Sequence, residues 1–387
     1  MRILHRAPLL LPPDRPEIRD GGLLLAGGEI LAVGPYHELA ALGQHEQVVD
    51  HPDTVIMPSL INGHCHLELS GLGGVSAGPQ TAGDMTGWIK RLLAARMAAS
   101  ADELAKAAKA QLQKFQAQGV GVLLDIANDL SLAPKGEDGV AVTTLLEFLG
   151  LSQERQGQAI SQLPKLPAET GVTAHAPHTS GAELLVALKA RARAGQKTFS
   201  IHVAESLAEL EFLMTGQGPF RHFLEEIGGW DGTFQPPACG PVAYLDRLGL
   251  LDRHSLCVHA VHLSDMELEI LAKSGAAVCL CPGSNRYLGV GKAPVEKLLA
   301  AGILPYLGTD SRASNKKLSL WREMRLLAED FPTLDPAVIL AMATRGSGAS
   351  FNRSRPARWL AVSCPDPAAV SGEFLVRDPA VKEVTWL

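Results

Sequence analysis

The sequence predicts an α/β protein: a TIM-like (β/α)8 barrel with a small β-sandwich domain built from both chain ends. Three observations predict it. Between about residues 57 and 350, eight short apolar runs alternate with segments of helical periodicity. Both ends of the 387-residue chain read instead as short strands and turns. Metal-competent side chains stand at the ends of several apolar runs, which is where a parallel barrel keeps its active site.

Size and composition allow this. A chain of 387 residues is large for one domain but typical of a barrel carrying extra structure. With 46% apolar and 20% charged residues, a large core can be filled. Net charge is 35 − 41 = −6 with no basic tract, which argues against nucleic acid or an anionic membrane as partner. No apolar run approaches the length of a membrane span. The opening "MRILHRAPLLLPPDRP" is broken by prolines and lacks the apolar region and cleavage site of a signal peptide. The six cysteines, Cys65, Cys239, Cys257, Cys279, Cys281 and Cys364, do not make a disulfide scaffold in a chain this long. Several sit in apolar strand-like runs as buried thiols, so a reducing cytoplasm is the expected location.

Residues 1–56, with 351–387, are assigned to the small β-domain. Within "GGLLLAGGEILAVGPY", Ala26-Gly27-Gly28 separates two apolar runs, which is a hairpin signal. Residues 57–350 are assigned to the barrel. Its strand candidates are 55–66, 119–126, 142–149, 171–176, 198–205, 256–263, 276–282 and 304–310. Helical periodicity marks 101–118, 182–194 and 264–274. An open doubly wound sheet is the alternative, but no G-x-G-x-x-G follows an early strand. Residues 215–240, with "GQGPF" and "GGWDGTFQPPACG", read as a long loop insertion that shapes a pocket.

The chemistry begins at "INGHCHLELS", residues 61–70. His64 and His66 are two apart, so on a strand both imidazoles point to one face and can meet at one cation. One such pair arises easily by chance. His202 near the end of the fifth strand, His259 in the sixth and Asp310 closing the eighth make the set specific. Cys65 alternates with the two histidines and is expected to point away. His262, Cys279 and Cys281 are read as structural, and Asp125 and Asp129 as loop or cap groups.

The order H-x-H, H-x-x-E, His and T-D resembles the amidohydrolase superfamily, in particular the branch of cytosine, guanine and adenosine-type deaminases and triazine hydrolases. "MPSLINGHCHLE", "HVAES", "HAVHLSDMELEILAKSGAAVCLCPGSN" and "LGTDSRASN" carry the likeness from about residue 20 to 350, whereas the tail departs from the usual ending. The resemblance implies one divalent metal held by His64, His66, His202 and Asp310, with zinc ahead of Fe(II) or Mn(II). No lysine ends the fourth strand, which disfavours a two-metal site. The metal is expected to make water nucleophilic near neutrality. The resemblance further implies that Glu205 shuttles a proton from water to a ring nitrogen, that His259 orients the nucleophile, and that Asp310 combines ligation with proton transfer.

His175 and His178, in "AHAPHTS" at the end of the fourth strand, are placed where such enzymes touch substrate. Trp88 is read as lining the pocket or packing beside it, as is Trp321. Glu68 is read as accepting a hydrogen bond from substrate or forming a salt bridge. Arg286 and Arg312 are loop cations, placed to hold a substrate carboxylate or to be solvated. "HCHLELS", "CPGSNRYLG" and "LGTDSRASN…LSLWREMR" look most like aminodeoxyfutalosine deaminases, which implies an adenine-type nucleoside with a benzoate-like group. The expected partner is thus a small heterocyclic molecule, and a homodimer is left open. Guanine, adenosylhomocysteine or methylthioadenosine, and triazine hydrolysis remain as alternatives, as does a non-catalytic ligand-binding barrel.

Overall fold

The computed structural model describes residues 1–13, 15–77, 81–134, 136, 139–346, 358–364, 372–377 and 383–387. Eight parallel strands form the barrel among these residues: β6 (Leu60–Cys65), β7 (Val120–Ala127), β8 (Ala141–Phe148), β9 (Gly171–Ala174), β10 (Phe199–Val203), β11 (Ser255–His259), β12 (Ala277–Leu280) and β13 (Tyr306–Leu307). They pair in chain order as two four-stranded sheets, β6 to β9 and β10 to β13. The sheets meet at two seams. At one, His202 N donates to His175 O at 2.9 Å. At the other, Thr309 N and Asp310 N both donate to His64 O, at 3.0 and 3.1 Å, and Cys65 bridges Asp310 in parallel register.

Helices cover the outside, and their starts follow their caps. Ala101–Ala117 and Asp265–Ser274 each open with a capping box, Ser100 with Glu103 and Ser264 with Glu267. Ala182–Ala194 has the expected bounds and buries Leu184, Leu185 and Leu188. Inside the barrel an apolar plug of Leu124, Ile126, Leu145, Leu256, Val258, Cys279, Cys281 and Tyr306 fills the space. The two cysteines are core residues there, as their apolar strand implied.

The chain ends build a separate seven-stranded sheet. Its order is β15 (Val384–Trp386), β14 (Trp359–Ser363), β5 (Thr54–Pro58), β1 (Arg2–Leu10), β2 (Ile18–Ala26) and β3 (Glu29–Pro35), with β4 (Gln47–Asp50) also on β1. Gly27 and Gly28 have φ of 57° and 84°, the left-handed conformations that a tight two-residue hairpin needs. Leu23 and Leu25 join an apolar cluster on one face, and Leu24 joins Leu4 and Leu39 on the other.

Several sequence expectations need correction. The apolar run 55–66 is two strands. Ser59 separates β5, which belongs to the chain-end sheet, from β6, the first barrel strand. The last barrel strand is only Tyr306–Leu307, and β10 and β11 end at Val203 and His259. The backbone turns left-handed at Ala204, His259, Ala260 and Asp310, which stops the strands. Residues 215–240 are not one loop, because Pro219–Glu226 is a helix with Pro219 in its first turn and Phe220, Phe223 and Leu224 buried. Asp125 is a fully buried residue of β7, neither loop nor cap. Among the described residues of the tail, only β14 and β15 join the sheet. The helix Gly372–Arg377 packs on the helices Leu320–Asp330 and Pro336–Thr344. Residues 351–357, 365–371 and 378–382 of the expected β-domain lie outside the described residues. Among the described residues no helix is long and apolar enough to cross a membrane.

The second seam admits no extra atoms. A Cβ on Gly308 would fall 2.8 Å from Cys279 Sγ and 2.9 Å from His64 O. Gly308→Ala is therefore expected to destabilise the protein by about 1–3 kcal/mol, read as a lower urea midpoint.

Candidate metal centre

Four ligand atoms converge where the seam closes. His64 and His66 come from the end of β6, His202 from β10, and Asp310 from just beyond β13. One ligand atom from each lies within 4.8 Å of every other, and all four residues are buried. His202 Nε2 is 3.1 Å from His64 Nε2 and 3.4 Å from His66 Nε2. Asp310 Oδ1 is 3.6 Å from Nε2 of both His64 and His66.

The donor chemistry fits a divalent cation. His202 Nδ1 stands 2.9 Å from His175 O, and a carbonyl can only accept. The proton of neutral His202 is thus on Nδ1, and its Nε2 lone pair faces the centre. Burial lowers the basicity of His64, and burial with the neighbouring His64 lowers His66 to about 3. Burial and the facing His64 take His202 well below the ordinary value. Burial alone would raise Asp310, but the His64 imidazole beside it, with His259 and His66, holds it well below the usual carboxylate range. The set is therefore three neutral imidazoles and one carboxylate, the forms that ligate metal.

Asp310 is oriented from behind. Its Oδ2 accepts from Ser284 Oγ at 2.6 Å and from Ser314 Oγ at 2.7 Å, leaving Oδ1 for the centre. These serines, on the helix Pro282–Leu288 and the loop after β13, were missed in the sequence. A short polar residue in a loop carries no signal of what its hydroxyl reaches.

Beside the cluster, His259 Nε2 lies 3.5 Å from Glu205 Oε1, and His259 Nδ1 is 2.9 Å from Asn285 Oδ1. His259 Nε2 is a buried atom with no hydrogen-bond partner among the described residues. Burial raises the Glu205 carboxyl. The turn carrying Glu205 is held by buried Glu209, whose two oxygens accept from Ala204 N at 3.0 Å and Glu205 N at 2.8 Å. Glu209 was also missed, although the S-x-x-E spacing from Ser206 is a helix-start signal that marks it.

The other sequence candidates are placed as follows. His175 is only half-buried beside His202, with Nδ1 2.9 Å from Thr179 Oγ1. His178 stacks on Phe220 with ring centroids 4.2 Å apart, and its Nδ1 is 3.9 Å from Glu209 Oε1. Buried Glu68 accepts from Arg96 Nη1 at 2.7 Å and Asn128 N at 3.1 Å, so the salt-bridge reading describes it. Trp88 Nε1 donates to Ala313 O, and Trp321 Nε1 to Gln118 O. Arg312 straps the loop after β13 to Ser76 Oγ at 2.6 Å and Asn315 O at 3.0 Å. Arg286 is on a helix rather than a loop, and is paired with Glu329 and Asp330 at 2.8 Å each. The structure therefore does not bring Glu68, Arg286 or Arg312 to the cluster as unengaged groups. His262 Nε2 is 2.8 Å from Val290 O, a structural contact. Cys65 Sγ turns to Asp125 Oδ1 at 3.9 Å, away from the imidazoles.

The profile of the amidohydrolase family matches residues 55–357. The aminodeoxyfutalosine deaminase of Deinococcus radiodurans is 28% identical over 345 residues, covering 84% of this chain and 80% of that protein. A 5-methylthioadenosine/S-adenosylhomocysteine deaminase of Nitratidesulfovibrio vulgaris is 29% identical over 384 residues, covering 90% of this chain and 79% of that one. Among solved structures, the aminofutalosine deaminase of Helicobacter pylori superposes with a TM-score of 0.79 at 23% identity, over 100% of this chain and 98% of that chain.

Purified protein is expected to carry about one equivalent of divalent metal per chain by elemental analysis. His202→Ala and Asp310→Ala should each retain less than about a tenth of that.

Proposed function

The chain belongs to the amidohydrolase family, and from that premise we propose that it is a metal-dependent deaminase of an adenine-type nucleoside. One observation carries the reading: a buried carboxyl, Glu205, stands 3.5 Å from His259 beside a cluster of four ligand side chains. That is an acid–base group, a polar orienting group and a cation site at one strand-end rim. The names of the relatives at 28% and 29% identity support the substrate class.

His64, His66, His202 and Asp310 would hold one cation, zinc before Fe(II) or Mn(II) on the nitrogen and carboxylate donor set. When bound, the ion supplies Lewis acidity that makes water nucleophilic near neutrality. The chain's own residues then manage protons and position. Glu205 takes a proton from the attacking water and delivers it to a ring nitrogen next to the amino-bearing carbon. His259 Nε2 orients the water oxygen as the new C–O bond forms. Asn285 keeps the His259 proton on Nδ1, so Nε2 faces the site as an acceptor. Asp310 takes the second water proton and passes it to the leaving amine as the adduct collapses. The C–N bond breaks, ammonia leaves, and the carbon becomes a carbonyl.

Within this class the substrate we assign is 6-amino-6-deoxyfutalosine. "HCHLELS", "CPGSNRYLG" and "LGTDSRASN" support it, as does the Deinococcus relative. Ammonia release should be measured on that nucleoside, adenosine, 5-methylthioadenosine, S-adenosylhomocysteine, guanine and a triazine. Highest kcat/KM on a nucleoside other than aminodeoxyfutalosine would overturn the finer assignment, and turnover of guanine or triazine alone would overturn the class. Glu205→Gln should lower kcat at least about 1000-fold while metal content stays near wild type. Parallel loss of metal would count against the shuttle role.

A further inference from the structure

Buried carboxyls outside the deamination steps include Glu147 of β8, which accepts from Asn128 Nδ2 at 2.9 Å, and Glu323, in the first turn of the helix Leu320–Asp330. Burying a carboxylate is costly unless hydrogen bonds offset it. Glu323 is fully buried, and its two oxygens meet donors from two different segments. Oε2 accepts from Gly283 N at 2.6 Å, and Oε1 accepts from Asn315 Nδ2 at 2.8 Å. Burial raises this carboxyl to about 7, but both oxygens face donors, so the ionised form is the one these bonds fit. Arg322 Nη1 donates to Asn315 Oδ1 at 2.7 Å, which fixes the Asn315 amide with Nδ2 toward Glu323.

Both donors are chain neighbours of groups that hold the site. Ser284 follows Gly283 and donates to Asp310 Oδ2, and Asn285, one residue further, holds His259 Nδ1. Ser314 precedes Asn315 and donates to the same Asp310 oxygen. Asn315 Nδ2 also donates to Thr309 O at 2.9 Å, at the seam. The approach is close. A Cβ on Gly283 would fall 2.5 Å from Glu323 Oε1 and 2.6 Å from Asn315 Nδ2, so this turn reaches the carboxylate only without a side chain.

We infer that Glu323 is a positioning residue, which fixes Asp310 and His259 relative to each other by tying together the two segments that hold them. This rests on the deaminase reading above. Glu323 acts through Gly283 and Asn315. A glutamine in its place keeps one acceptor oxygen but turns an amide N–H toward the other donor, so one of the two segments is released.

The test uses zinc-loaded protein at about pH 8, where the carboxylate form prevails. Glu323→Gln should lower kcat on the best nucleoside about 10-fold with KM within about twofold, and should speed zinc loss to a chromogenic chelator about 10-fold. Gly283→Ala leaves Glu323 in place but pushes the turn away, and should act in the same direction on both readouts. Asp252→Asn is the stability control. Asp252 lies before β11, at the other end of the barrel, and pairs with Lys189 at 2.8 Å and Arg193 at 2.9 Å. That variant should lower the melting temperature yet leave kcat and zinc loss within about twofold of wild type. Glu323→Gln behaving like this control, or acting through KM alone, would overturn the positioning role. Should Glu323→Gln fail to fold, Gly283→Ala decides by the same two readouts. Absence of wild-type turnover on every nucleoside would instead overturn the deaminase reading, and zinc loss then decides by itself whether Glu323 positions Asp310.

Discussion

Everything at the rim depends on how the eighth strand meets the first. The carbonyl of His64 accepts the amides of both Thr309 and Asp310, while the side chain of the same residue faces the cluster. One residue therefore sets backbone register and ligand position together. A slip at this seam would move Asp310 away from His64 and His66 and undo the convergence. Around the seam, Asn62 takes the amide of Thr309 on its Oδ1 at 3.1 Å and donates to the Thr309 hydroxyl at 2.9 Å. Glycines 63 and 308 leave room for Cys279 to approach.

Local strain accompanies this geometry. Ala204, His259, Ala260 and Asp310 all have positive φ, between 48° and 73°, although none is a glycine. Each such residue costs on the order of 1 kcal/mol or more and persists only when its surroundings over-determine it. The surroundings do so here. Glu209 clamps the amides around Ala204, Asn285 holds His259, and two serines hold Asp310. The turns aim side chains across the top of the barrel, where a continuing strand would send alternate residues into the wall.

The barrel and the four converging side chains were legible because they carry strong local signals. Eight apolar runs separated by capped helices announce a parallel sheet, and H-x-H puts two imidazoles on one face of a strand. Strand ends were less legible. The run 55–66 hides a change of sheet at Ser59, since hydrophobicity cannot tell which sheet a strand joins. The supporting groups were least legible. Glu147 is a lone charge in "TLLEFL", Ser284 and Asn285 are small polar residues whose partners are far away in the chain, and Ser314 is a loop serine whose hydroxyl reaches Asp310 only through the turn after β13. Arg286 and Arg312 show the converse. A cation near an expected mouth looks available until the fold supplies its carboxylates and carbonyls.

The chain-end sheet has a consequence for how the molecule is made. Strand β5 runs into β6 across Ser59 alone, and its outer edge is covered by β14, with Thr54 opposite Ser363. On the ribosome, β5 emerges long before its partner, with the whole barrel between them in the chain. Until then the edge leading directly into the first barrel strand has open amides and carbonyls, a template for pairing with a neighbouring nascent chain. Contacts of such long sequence separation form slowly. Biogenesis of this protein therefore leaves that edge open from the synthesis of Thr54 until that of Trp359–Ser363.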